Sequence, residues 1–89
     1  MVYRVFIKKK VLRGLRRLPS EIENKVKTLV AILAAHGPTG PHAWQNYSKL
    51  SQDEYHCHLT YRYVACWRHE QGTITIEVYY AGSREDAPY

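Results

Sequence analysis

Thr73-Ile74-Thr75-Ile76-Glu77-Val78-Tyr79-Tyr80 decides the fold, because its character changes at every residue: Ile74, Ile76, Val78 and Tyr80 fall on one side, Thr75, Glu77 and Tyr79 on the other. A period of two residues is that of a strand, and one apolar side with one polar side is that of a sheet covered on a single face. The β-branched and aromatic content suits such a half-buried surface. Something apolar must therefore pack on one face of this sheet while the other stays open.

Working upstream, Tyr63 to Arg68 and Tyr55 to Tyr61 read as two further strands, with Glu70-Gln71-Gly72 as the hairpin turn before the last one. In the earlier strand Tyr55, Cys57, Leu59 and Tyr61 form one set and His56, His58 and Thr60 the other, so both histidines are expected on the open face. Trp44 to Lys49 is a weaker candidate for a short strand, since it alternates poorly. Before it the period lengthens to that of a helix. Ile22, Val26, Leu29, Val30 and Leu33 make an apolar stripe that Gly37, Pro38, Gly40 and Pro41 end, and Ser20 with Glu23 has the spacing of a capping box. Lys8 to Leu18 is a second amphipathic helix, carrying Val11, Leu12, Leu15 and Leu18 and stopped by Pro19; Tyr3 to Ile7 is a short strand. The order strand, helix, helix, then three or four strands predicts an α+β fold: an antiparallel sheet with two N-terminal helices packed on one face, in one domain over residues 1–89.

Thirteen Lys and Arg stand against eight acids, a net charge of +5, which favours a polyanionic partner such as nucleic acid or an acidic protein. Lys8, Lys9, Lys10, Arg13, Arg16 and Arg17 all precede the first acid, Glu21, so the first helix carries a dense positive field suited to RNA phosphates or to an acidic protein segment. Two cysteines, Cys57 and Cys66, make no disulfide framework, and no charged leader with an apolar core opens the sequence, so a cytoplasmic location is expected. The longest apolar run, Leu29 to Ala35, is far short of the roughly 20 residues that span a bilayer.

Chemistry-bearing residues gather at the strand ends. His56 and His58, two apart on a strand, stand side by side with Cβ atoms roughly 7 Å apart. Metal binding would need further ligands, and Cys57 points to the wrong face for it. Imidazoles instead suit proton transfer near neutral pH or hydrogen bonds to phosphate; a solvated pair of polar side chains is the alternative. Arg62 and Arg84 flank them in sequence, and Arg can bind phosphate bidentately and stabilise a charged phosphoryl transition state. Gly82, just before Arg84, could let the backbone turn toward a ligand. Tyr89 lies past the last strand, where its ring can stack on a base or simply cap the sheet.

The stretches Tyr55-His56-Cys57-His58-Leu59, Arg62-Tyr63-Val64 and Ile76-Glu77-Val78-Tyr79-Tyr80-Ala81-Gly82-Ser83-Arg84, followed by Tyr89, resemble the RelE/ParE toxin superfamily, specifically its RelE-like ribosome-dependent RNA endonucleases. The resemblance covers essentially the whole chain and is most specific in the second half. It implies a toxin whose concave sheet face enters the ribosomal A site, cuts the exposed messenger RNA without a cofactor, and is silenced by a cognate antitoxin. It further implies a site made of His56, His58, Arg62, Arg84 and Tyr89. The two strand positions are lysines in RelE and histidines here, so the proton transfers cannot be carried over unchanged. Within the same superfamily a ParE-like gyrase poison would make these residues dispensable, and a non-catalytic RNA- or ribosome-binding module would rest on the basic helix alone.

Overall fold

The computed structural model describes residues 2–40, 43–44 and 46–89. Its elements run β1 (Arg4–Ile7), α1 (Lys9–Gly14), a 3-10 turn (Leu15–Arg17), α2 (Ser20–His36), β2 (Ser48–Lys49), β3 (Glu54–His58), β4 (Tyr63–His69), β5 (Thr75–Ser83) and a second 3-10 turn (Arg84–Asp86). The strands form a five-stranded sheet in the order β1-β5-β4-β3-β2. With the helices on one face, this is the α+β layout that the periodicities predict.

One pairing departs from the expected antiparallel sheet. β1 lies parallel to β5, from Arg4 opposite Thr75 to Ile7 opposite Val78, which makes the sheet mixed. β3, β4 and β5 follow one another through short connections and must alternate in direction, whereas β1 is joined to the rest through the helical layer and can enter in either direction.

The covered face holds the core. Val26, Leu29 and Leu33 of α2 are fully buried against Cys57, Trp67, Ile76 and Val78 of the sheet. The buried indole of Trp67 donates from Nε1 to the Pro38 carbonyl at 3.2 Å, so its polar atom is satisfied inside the apolar layer. Gly37 ends α2 at φ 88°, where a Cβ would lie 2.8 Å from the Tyr3 ring.

Local features correct the sequence reading at four points. The capping box does not form: Pro19 is the N-cap, its carbonyl receives the Ile22 and Glu23 amides, and Ser20 already lies inside the first turn. The first helix is six residues long and tightens into a 3-10 turn at Leu15. β3 stops at His58, so Thr60 and Tyr61 belong to the loop before β4.

The fourth correction matters most for function. Cys66 pairs with Tyr80 but Trp67 with Val78, so Tyr79 is an extra residue in β5, a β-bulge. After it the alternation inverts. Ala81 returns to the core side, and Tyr80, expected beside Ile76 and Val78, lies on the open face with Tyr79.

Candidate active site

On the open face, neighbouring strands align Ser48, His56, Cys66 and Tyr80 in one row and His58, Val64 and Gly82 in the next. The His56 and His58 rings stand with centroids 5.7 Å apart, as two residues on one face of a strand must. After β5 the chain turns through Arg84–Asp86 and comes back across this face, and the Tyr89 ring settles on His56 with a centroid distance of 4.4 Å.

The two imidazoles differ in surroundings. His58 is exposed, and its carbonyl accepts the Trp44 indole N–H at 3.2 Å. His56 is half-buried, and its Nδ1 is buried without a hydrogen-bond partner among the described residues. Burial, and then the charge of His58, hold the His56 pKa below the ordinary imidazole value, with the Ser48 backbone offsetting this in part. His56 therefore stays neutral more readily than an ordinary imidazole.

Arg62 and Arg84 meet at the end of the sheet. The Arg84 amide donates to the Arg62 carbonyl at 2.8 Å, and both residues line a cleft of about 450 Å³ together with Tyr61, Tyr63, Ser83 and Glu85. The Arg84 guanidinium lies 4.7 Å from the Tyr61 ring centroid, a cation-π contact. Among the described residues neither guanidinium is in an ion pair; the ion pairs of the sheet join Arg68 to Glu54 at 2.6 Å and to Glu77 at 3.4 Å, at its other end. Burial raises the pKa of the Tyr89 hydroxyl, and the positive field of Arg84 opposes that rise.

The His56 ring thus meets both His58 and Tyr89, Arg84 acts through its field on Tyr89, and Arg62 shares a cleft with Arg84. From the His58 row, Gly82 is two strand spacings away, about 10 Å, and Arg84 is two residues further along. Long guanidinium side chains and imidazoles can converge on an anion across such a gap. Among the described residues no group of three or more His, Cys, Asp and Glu is arranged to hold a metal ion.

Lys8, Lys9, Lys10, Arg13, Arg16 and Arg17 are all exposed, and four of them line two different grooves. Lys8 and Lys10 border a groove with Tyr79, Tyr80 and Asp86, while Arg13 and Arg16 border another with Leu12, Glu23 and Lys27. Gly82 also differs from expectation. It lies within β5 without a positive φ, and its missing side chain makes room for the Tyr80 hydroxyl, 3.1 Å from where a Cβ would be. Sequence reasoning overlooked Tyr80. The signal for it was the succession of two tyrosines followed by Ala-Gly, where strict alternation fails.

No protein-family model matches the sequence, and no curated protein does. Solved structures do. A chain of the archaeal RelE–RelB complex from Pyrococcus horikoshii OT3 superposes with a TM-score of 0.78 at 25% identity, over 98% of this chain and 100% of that one. E. coli toxin RelE with two arginines replaced by alanine, in the free state, gives 0.72 at 18% identity over 98% and 88%. Isolated E. coli RelE toxin gives 0.69 at 17% identity over 97% and 88%. The class is an α+β domain with one sheet face open. More particularly, the fold is the RelE-like toxin fold, and it spans the chain.

Proposed function

We propose that this protein is the toxin of a toxin-antitoxin pair, acting in the cytoplasm as an endoribonuclease on messenger RNA in the ribosomal A site. The observation that carries the reading is the His56, His58 and Tyr89 ring cluster on the open face of a RelE-like sheet, with the Arg62 and Arg84 cleft at the end of that sheet. A gyrase-blocking surface has no evident use for such a group.

In this mechanism His56, kept neutral, takes the proton of the ribose 2′-hydroxyl. The 2′-oxygen attacks phosphorus, and Arg62 and Arg84 stabilise the added charge of the phosphorane. The P–O5′ bond breaks, and the departing 5′-oxygen takes a proton from the Tyr89 hydroxyl or from protonated His56 while His58 orients the phosphate. The products are a 2′,3′-cyclic phosphate and a 5′-hydroxyl, and the reaction so written uses no metal. The Lys8 to Arg17 segment supplies sequence-independent attraction to ribosomal phosphates.

The partner is an antitoxin, in keeping with the RelE–RelB complex among the structural neighbours. Leu12, 54% exposed in a groove with Arg13, Arg16, Lys27 and one acid, Glu23, offers an apolar contact in a mainly positive setting for an acidic amphipathic segment.

Primer extension on a defined messenger RNA, with and without programmed ribosomes, tests the reading. Cleavage is expected only with ribosomes, and replacing the base as His56→Gln is expected to slow it roughly 100- to 10,000-fold. Intact RNA from a wild-type chain that is still toxic to cells would reject the nuclease and favour gyrase poisoning. Intact RNA with salt-sensitive ribosome binding would leave a non-catalytic binding module.

A further inference from the structure

We infer that Tyr80 is a positioning residue for Arg84: its hydroxyl, held on the Ser83 carbonyl across the side-chain-free Gly82, fixes the turn from which the guanidinium reaches phosphate. The inference rests on the nuclease reading for what Arg84 does, but the clamp itself is a feature of the fold.

The bulge at Tyr79 is what makes the clamp. Without it Tyr80 would continue the Ile76 and Val78 series into the core; with it, Tyr80 stands on the open face in the row of Cys66 and His56. From there its hydroxyl donates to the Ser83 carbonyl at 2.5 Å, the short end of the range for such bonds. The path passes directly over residue 82. A Cβ there would lie 3.1 Å from the hydroxyl oxygen and 3.4 Å from Cζ, so a side chain at 82 would push the Tyr80 hydroxyl off by a few tenths of an ångström although the backbone conformation would accept one.

Ser83 ends β5, where a strand ordinarily frays because its last groups lose their ladder partners. Here three hydrogen bonds hold the two residues at the end. Tyr80 holds the Ser83 carbonyl, the Ser83 hydroxyl accepts the Glu85 amide at 3.2 Å, and the Arg84 amide is held by the Arg62 carbonyl at 2.8 Å. Arg84 carries its charge on a long flexible chain, so where the charge can reach depends on where its backbone is anchored. A displacement of about 1 Å in such a group costs on the order of 100-fold in rate. Tyr80 is not itself a proton donor to substrate, because its hydroxyl proton is engaged by the carbonyl.

The test is a double-mutant cycle read by ribosome-programmed cleavage together with amide hydrogen exchange on the free protein. Tyr80→Phe keeps the ring and removes only the hydroxyl. It is expected to lower kcat by about 10- to 100-fold with KM little changed, and to lower cleavage no further in an Arg84→Ala background. The Arg84 and Glu85 amides should exchange faster. Gly82→Ala should reproduce both effects in the wild type and be largely silent once Tyr80→Phe has removed the oxygen it would crowd. Full additivity with Arg84→Ala, or unchanged exchange at Arg84 and Glu85 in Tyr80→Phe, overturns the inference. Should the wild type leave RNA intact, the nuclease reading fails by itself. The exchange measurement then still decides whether Tyr80 anchors the turn.

Discussion

The Tyr89 ring lies on the His56 imidazole at 4.4 Å between centroids, with the planes inclined at 43°. Two residues that are 33 positions apart thus meet ring to ring, and burial is the leading cause of the low His56 pKa. Removing the ring by Tyr89→Ala should let water back onto His56 and move its pKa up toward the ordinary 6.5. An NMR titration of the imidazole resonances measures this. An unmoved His56 pKa would mean that the sheet, not Tyr89, supplies the burial.

The same depression makes stability depend on pH with a definite sign. Because the folded His56 binds its proton less tightly than the unfolded residue, the unfolded chain holds more protons as pH falls through 6.5. The stability linked to this group is complete above 6.5, declines as pH drops through that value, and levels off below the folded pKa. Thermal unfolding between pH 7.5 and about 5 should therefore show Tm falling, and falling less in His56→Gln. Parallel curves for the two proteins would remove His56 as a contributor.

Two glycines should respond oppositely to alanine. Gly37 sits at φ 88° and ψ −176°, and a Cβ there would meet the Tyr3 ring at 2.8 Å, so Gly37→Ala should destabilise by about 1 to 3 kcal/mol or more. Gly14 is helical, with nothing within 4 Å of its Cβ position, and Gly14→Ala should stabilise by about 0.4 to 1 kcal/mol. Denaturant midpoints of the two variants check both signs.

Neither cysteine should react in the folded protein. Burial pushes the thiols of Cys57 and Cys66 up to about 12, and both are fully buried, so the nucleophilic thiolate is scarce and out of reach. A colorimetric thiol assay at pH 8 should count no thiols in native protein and two after denaturation. Fast native labelling of Cys66 would show that the segment ending in Tyr89 opens readily above it.

Much of the fold was legible because periodicity reports burial directly. The Ile22 to Leu33 stripe is the buried side of α2, and the alternation of Tyr55 to Leu59 assigned Cys57 to the core and both histidines to the open face. The direction of β1 was not legible, since a strand pattern is the same in either direction. Nor was the bulge, because one unpaired residue is a property of two strands in register and leaves only a blemish in the sequence of one.

The site divides in the same way. Local sequence sets which side chains are available: imidazoles two apart on a strand, arginines beyond strand ends, a tyrosine past the last strand, and the positive charge around Lys8 to Arg17. These follow from residue type and short-range spacing, which the chain carries locally. Packing alone settles that Tyr89 folds back onto His56, that the Arg84 and Arg62 backbones are joined, that Lys8 and Lys10 line one groove and Arg13 and Arg16 another, and that Tyr80 leaves the core to hold Ser83. Each of these depends on which residues distant in sequence meet across the sheet, and strand order, register and a single bulge fix those meetings only once the chain has packed.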